Sequence, residues 1–402
     1  MKDLFKDVSL SAVVAGCIAT VISYAGPLVI IFQAADAAQL SHAQLSSWIW
    51  AISIGSALLG VLLSLRYKVP VVIAWSIPGS ALLVSQLPQI GLNQAVGAYL
   101  VASLVLLLIG LSGAFDRIIA RLPGSIAAGM QAGILFSFGV ALFESLPARP
   151  VLVLAMFASY VLMRRLVPRY AVMAVLIVGT GITVLGGDFK ADALVFGLAT
   201  PTLIVPQFSL EATLNLALPL VLVALTGQFM PGMAVLRGAG YATPASPLIS
   251  ASALMGAVLA PFGCHGLNLA AVTASLCTGR EAHENPRRRY IAALSGSLLY
   301  LIFGIAGATL VSLFAAFPRE LIAALAGLAL FGAISEALSR STLHIEERDA
   351  GLFTFLVTAS GVSFLGLSAA FWGLLSGLIV HAAMKARRLP AAAPTLGDKA
   401  SR

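Results

Sequence analysis

The sequence predicts an all-α polytopic membrane protein with fourteen transmembrane segments in two inverted repeats of seven. Segments three and ten are each expected to be a short strand followed by a half-helix. Composition is the first observation: 59% of the 402 residues are hydrophobic and only 10% are charged, against about 25% charged in a soluble domain. Capacity is the second. A bilayer core about 30 Å thick takes about 20 apolar residues per helix, so the chain holds a dozen or more spans and little else. The third is charge asymmetry. Threaded from a cytoplasmic N-terminus, the chain puts 21 of its 24 Lys and Arg residues on the cytoplasmic side, as positive-inside sorting requires.

Breaks at charges, prolines and glycine clusters place the first seven segments near 8–33, 45–65, 70–87, 93–115, 123–146, 150–163 and 170–187. The second seven lie near 213–236, 244–262, 263–278, 290–317, 319–338, 350–367 and 368–384. The first run is longer than the about 7–15 residues of a signal-peptide core, and it contains Tyr24, Gly26 and Pro27. It reads as a retained span, despite the cleavable-looking Ala34–Ala37. Residues 350–384 lack Lys, Arg, Asp and Glu. They read as two short spans, since a single one would carry Lys385, Arg387 and Arg388 outside.

Only Arg149, Lys190 and Arg319 then fall on the outer side. The repeats are 1–187 and 213–388, joined by an extracytoplasmic loop at 188–212 and followed by a cytoplasmic tail at 389–402. Seven is odd, so the second repeat enters the membrane upside down. Transporters built from inverted repeats share that arrangement.

The repeats match in their irregularities. Segment one is expected to break at "SYAGPLV" and segment eight at "TGQFMPGMA", each with a Gly/Pro pair inside the span. Segment three reads "VPVVIAWSIPGSALLV" and segment ten "LAPFGCHGLNLAAV". Non-helical backbone survives at membrane depth only where protein or a water-filled cavity surrounds it. Val69–Trp75 and Leu259–Cys264 therefore read as short buried strands, with half-helices starting near Ser76–Gly79 and His265–Asn268. Helix starts carry unpaired N–H groups and a positive dipole end. Two of them facing each other in mid-membrane make an anion site.

The remaining candidates are few. Cys17, Cys264 and Cys277 sit in apolar segments and read as packing residues, not as disulfides or metal ligands. Among ionisable groups inside segments, which are functional suspects by default, His265 stands at the predicted half-helix start. Glu144 and Glu336 lie near segment ends, where reaching water is the simpler account. "NPRRRY" (Asn285–Tyr290) reads as a topology anchor that can also touch anionic lipid. The basic residues lie in short clusters between spans, so nucleic acid is not an expected partner. No nucleotide loop, metal cluster or nucleophile–base pair stands out, so no cofactor and no enzyme activity are expected. A passive anion channel is the reading from another class.

At these residues the chain resembles the benzoate/proton symporter family of bacterial inner-membrane transporters, over nearly its whole length. "LTGQFMPGMAVLRGAGY" (Leu225–Tyr241) and "APFGCHGLNLAAVTASLCTGREAH" (Ala260–His283) carry the likeness, supported by "IAWSIPGSALL" (Ile73–Leu83). Phe229 stands where the family often has Asn. More distantly the layout is similar to the seven-plus-seven inverted-repeat fold of nucleobase/proton symporters and anion exchangers. That likeness implies a core of segments 1–4 and 8–11 moving against a gate of segments 5–7 and 12–14. Nucleobase relatives carry carboxylates on segments eight and ten, whereas Gln228 and Asn268 here are neutral. That difference suits a substrate bringing its own negative charge, an aromatic carboxylate. Another small anion or a nucleobase is the alternative cargo.

The expected substrate-binding residues are Tyr24, Trp75, Ser76, Pro78, Gly79, Ser80, Gln228, Met230, Phe262, His265, Gly266, Leu267 and Asn268. His265 is also the expected proton carrier. The implied partners are the carboxylate, protons and membrane lipid, and a homodimer is allowed. The resemblance places the chain in a bacterial inner membrane with both termini cytoplasmic.

Overall fold

The computed structural model describes residues 6–387. The tail expected at 389–402 lies outside the described residues. The first half of the chain runs through α1 (Leu10–Ala25), α2 (Pro27–Ala37), α3 (His42–Tyr67), β1 (Ile73–Ala74) and α4 (Ile77–Ser112). It continues through α5 (Phe115–Arg121), α6 (Gly124–Glu144), α7 (Pro150–Leu166) and α8 (Ala171–Leu185). The second half runs through α9 (Leu210–Gly238), α10 (Ala245–Leu259), β2 (Asn268–Leu269), α11 (Val272–Thr278) and α12 (Tyr290–Ile305). It ends with α13 (Gly307–Ala315), α14 (Arg319–Thr342), α15 (Arg348–Ala359) and α16 (Ala369–Arg387).

Among the described residues, seven spans are long and apolar enough to cross a bilayer alone: α1 with α2, α3, α4, α6, α9, α10 with the turn after it, and α14. The pair α12–α13, bent by 70°, makes an eighth. This is a multi-pass membrane protein.

Local chemistry sets the boundaries. A capping box opens α3: Ser41 Oγ accepts the Gln44 N–H at 3.2 Å while Gln44 Oε1 accepts the Ser41 N–H at 2.9 Å. The run α4 is two helices that meet at Gly91, whose φ of +74° and ψ of 162° are non-helical and suit glycine, so the break falls between the segments expected at 70–87 and 93–115. The Gly/Pro pairs of segments one and eight bend the chain less than the sequence predicts. Gly26 keeps helical angles between α1 and α2. Helix α9 stays continuous through two π turns, Thr213–Ala217 and Leu225–Phe229, which end just ahead of Pro219 and Pro231. A proline lacks an N–H and its ring strikes the carbonyl four residues back. A widened turn accommodates both defects.

Helix packing falls into two sets. Helices α1–α4 and α9–α13 pack mainly on one another, as do α6–α8 with α14–α16. Small residues permit the close crossings, as is usual between membrane helices. Where α1 meets α12, a Cβ on Gly16 would stand 2.0 Å from the Ala292 carbonyl oxygen. At the same crossing Thr20 Oγ1 donates to the Gly296 carbonyl at 3.0 Å.

The charge pattern has a spatial counterpart. Arg149 binds Asp188, Lys190 donates its backbone N–H to Ala316 O at 3.0 Å, and Arg319 reaches Asp36 at 3.2 Å. These three cations share one end of the molecule. Arg288 with Asp7, Arg237 with Asp116, and Lys68 with Tyr290 mark the other. The 188–212 loop crosses the first end as an ordered strap. It is tied by Ala199 N–H to Ile305 O at 2.8 Å, Ile204 N–H to Pro261 O at 2.7 Å and Gln207 N–H to Asn93 O at 2.9 Å.

Candidate functional site

Two short strands meet, the first inside the predicted Val69–Trp75 and the second downstream of the one predicted. β1 and β2 pair antiparallel, Ile73 opposite Leu269 and Ala74 opposite Asn268, and Ala270 N–H donates to Val72 O at 2.9 Å. Val71 is satisfied from the neighbouring helix, since Ser64 Oγ accepts its N–H at 3.1 Å and donates to its carbonyl at 3.2 Å. Val71, Ile73, Cys264 and Leu269 are all buried. The crossing thus meets the condition for non-helical backbone at membrane depth.

Segment ten differs from its expected layout. Leu259–Cys264 is no strand: Ala260–Phe262 is a 3-10 turn ending at Gly263, with φ +99°. Gly266, with φ +140°, turns the chain again. The strand comes at Asn268–Leu269 and the half-helix α11 starts at Val272, not at His265–Asn268. Two glycines in the left-handed region stop a helix from forming earlier, and pairing with β1 holds the following residues extended. The N–H groups of Gly266, Leu267 and Asn268 therefore do not form a helix start.

The other half-helix does begin where the sequence places it. Ser76 caps α4, its Oγ accepting the Gly79 N–H at 3.1 Å, and Ser80 N–H donates to Ser76 O at 2.8 Å. Pro78 has no N–H. The first turn therefore leaves Ile77 as its uncommitted donor, fewer than a bare helix start would offer.

His265 links the two crossings. Its Nδ1 accepts from Trp48 Nε1–H at 3.1 Å, and its Nε2 lies 3.0 Å from Ser80 Oγ. Indole can only donate, which assigns the imidazole proton to Nε2. Nε2–H then donates to Ser80 Oγ, and the Ser80 hydroxyl keeps its own proton for another acceptor. Nearby, Asn268 Oδ1 is buried with no hydrogen-bond partner among the described residues.

The remaining expected site residues divide. Gln228 lies in the π turn Leu225–Phe229, which packs against β2, and half-buried Met230 follows it. Tyr24 and Trp75 sit edge to face at 5.1 Å, with Tyr300 and Phe303 filling the other sides of Tyr24 at 5.0 and 4.7 Å. Their polar atoms are engaged as well, Tyr24 Oη by Ser53 and Trp75 Nε1–H by Ser23 O at 3.0 Å. Both rings are buried. Phe262 faces Trp50 at 5.8 Å, and Leu267 packs beside Gly55 of α3.

Several residues of this neighbourhood escaped the sequence reading. Trp48 and Ser23 are a ring and a hydroxyl inside apolar runs, with no motif to mark them. Gln131 of α6 faces the same π turn, its Oε1 standing 3.0 Å from where a Cβ on Gly227 would lie. Arg340 of α14 reads as a cytoplasmic anchor, yet its Nη2 reaches the Thr226 carbonyl at 3.4 Å while Nη1 meets Glu336 at 3.7 Å. An inventory of uncharged polar residues inside spans would have found Gln131. Glu144 is exposed at its helix end.

The family model for the benzoate membrane transport protein matches residues 6–383. The chain is 48% identical over 381 residues to the benzoate membrane transport protein of Acinetobacter baylyi, covering 95% of this chain and 97% of that one. It is 40% identical over 367 residues to the inner membrane protein YdcO of Escherichia coli K12, covering 91% and 94%. Among solved structures it superposes on SLC26A9 with a TM-score of 0.64 at 14% identity, over 92% of this chain and 65% of that one. It superposes on the transmembrane domain of the cyanobacterial bicarbonate transporter BicA with a TM-score of 0.59 at 15% identity, over 93% and 97%. Those two structures share the fold. On the family model and the sequence relatives, which agree over nearly the full length, the chain belongs to the benzoate membrane transport family.

Proposed function

We propose that the protein carries benzoate or a similar aromatic carboxylate into the cell, one proton accompanying each anion. The observation that carries this reading is the contact of Ser80 with His265 where α4 begins, with Asn268 opposite Ala74 on the paired strands, in a chain of the benzoate membrane transport family. None of the expected site residues is acidic. The substrate carboxylate accepts hydrogen bonds from the Ser80 hydroxyl and the Ile77 N–H. It displaces Ser76 Oγ from the Gly79 N–H as that side chain rotates. The Asn268 and Gln228 amides supply further donors from the facing crossing.

Fourteen segments in two inverted repeats, with both termini cytoplasmic, complete the reading. The set α1–α4 with α9–α13 is the moving core, and α6–α8 with α14–α16 is the gate. Gln131 and Arg340 meet the π turn from the gate side, so core movement would remake those contacts. Single cysteines at Ala191 and Ala242, in a background lacking Cys17, Cys264 and Cys277, should label from opposite sides of the membrane. Labelling from one side would remove the inverted arrangement.

A buried hydrogen bond to a charged group contributes about 1.5–3 kcal/mol. Gln228→Ala and Asn268→Ala should each weaken benzoate binding to the purified protein about tenfold or more. Titration calorimetry reads the effect, and unchanged affinity in both variants would move the site elsewhere.

A further inference from the structure

A second feature lies at the end of the molecule that carries Arg149, Lys190 and Arg319. Helix α2, the start of α3, the strap near Lys190 and the α13–α14 junction enclose a pocket of about 600 Å³, within the usual size range of small-molecule sites. One wall is aromatic. Phe32 and Phe314 stack at 4.7 Å with 13° between their planes, and Phe317 meets Phe314 edge-on at 6.3 Å.

The charged groups facing this pocket are Asp36, His42, Lys190 and Arg319. Arg319 touches Asp36 at 3.2 Å, but their side chains are 83% and 58% exposed, so water screens that pair. The Lys190 ammonium has no ion pair among the described residues. Lys190 and Arg319 against Asp36 leave the lining with one net positive charge. Twenty-one of the chain's cations are assigned to the opposite side, and two of the remaining three line this one cavity.

We propose that this pocket is an outer docking site for a small aromatic carboxylate, which it holds before the anion reaches the crossing at Ser80 and His265. The ring lies on Phe314 and Phe317 while the carboxylate pairs with Lys190 and Arg319. The proposal rests on the reading that the cargo is an aromatic carboxylate. Charge-lined clefts raise the local concentration of an opposite charge, and the effect falls with salt. The site therefore acts on capture at low substrate and leaves the transport step unchanged.

The test uses cells expressing the full chain or the double variant Lys190→Gln/Arg319→Gln, at equal membrane abundance and with vector-only cells subtracted. In the initial uptake of labelled benzoate, the double variant should raise KM about fivefold in dilute buffer, with kcat unchanged. The difference should close near 1 M salt, where the screening length is about 3 Å. The conservative variant Lys190→Arg/Arg319→Lys should retain the wild-type KM. An unchanged KM and salt dependence in the Gln double variant overturns the proposal, as does a fall in kcat alone. Fluorine NMR of 4-fluorobenzoate with the purified protein separates this proposal from the transport reading. Binding that survives Asn268→Ala and is lost in the Gln double variant supports the outer site even if wild-type cells take up no benzoate. Binding unaffected by the double variant overturns it.

Discussion

His265→Gln is expected to lose the stimulation of benzoate uptake by an inward proton gradient. Benzoate is the anion of an acid of pKa about 4, near that of side-chain carboxyls. At neutral pH its entry is therefore opposed by about 2.3 kcal/mol per 100 mV of interior-negative potential. One proton per anion cancels that charge. Histidine, with a reference pKa of about 6.5, is the side chain at the crossing able to carry it.

The structure adds a constraint. Trp48 donates to Nδ1 at 3.1 Å, so Nδ1 takes a proton only when the indole moves away. In the proposed mechanism proton entry would require the Trp48 indole to leave Nδ1, and a carboxylate at Ser80 would favour the charged imidazole. Reciprocal linkage follows, each ligand strengthening the other's binding. A gradient of one pH unit amounts to about 1.36 kcal/mol, a factor of about ten, and the variant should lose about that much of the stimulated rate. Undissociated benzoic acid crosses lipid unaided, so initial rates above protein-free vesicles are the readout. A variant with wild-type gradient stimulation would exclude His265 as the carrier.

Gly16→Ala should be among the most damaging single changes for stability. The added methyl would stand 2.0 Å from Ala292 O and 2.9 Å from Gly296 N, both backbone atoms that cannot move aside alone. Helices α1 and α12 would have to separate, and overpacking of this kind costs about 1–3 kcal/mol. Gly181→Ala in α8 is the control, since nothing lies within 4 Å of its added Cβ and alanine is the better helix former by about 1 kcal/mol. Thermal unfolding in detergent should fall clearly for the first variant and hold or rise for the second. Equal midpoints would mean that the α1–α12 crossing has more slack than its geometry shows.

Gly16 and Gly296 illustrate what sequence could and could not reveal. Glycine spacing in an apolar run says that helices approach closely, but Gly16 and Gly296 are far apart in sequence and nothing local pairs them. The first strand was legible because a β-branched run at Val69–Ile73 has no use in a helix, and the Gly-rich run after Phe262 marked a second non-helical stretch without placing its strand. The register was not legible. Whether "FGCHGLNL" extends before or after His265 depends on which residues find β1, and that is a tertiary choice. Gly263 and Gly266 then delay α11 to Val272. The prolines misled in a different way, since a π turn absorbs them without breaking α9. Tyr24 and Trp75 were visible as aromatic residues near a helix break. Their closure by Tyr300 and Phe303 depends on how α1 lies against the second half of the chain.

The central claim is that an anion and a proton cross together through the β1–β2 crossing. It is tested most directly in vesicles containing the wild-type protein and a pH-sensitive dye, by measuring labelled benzoate uptake and luminal acidification in the same sample. With protein-free vesicles subtracted, the account predicts saturable benzoate entry with one proton arriving per anion, both diminished in Asn268→Ala. Saturable benzoate entry without matching acidification would contradict it, because the anion would then be crossing alone.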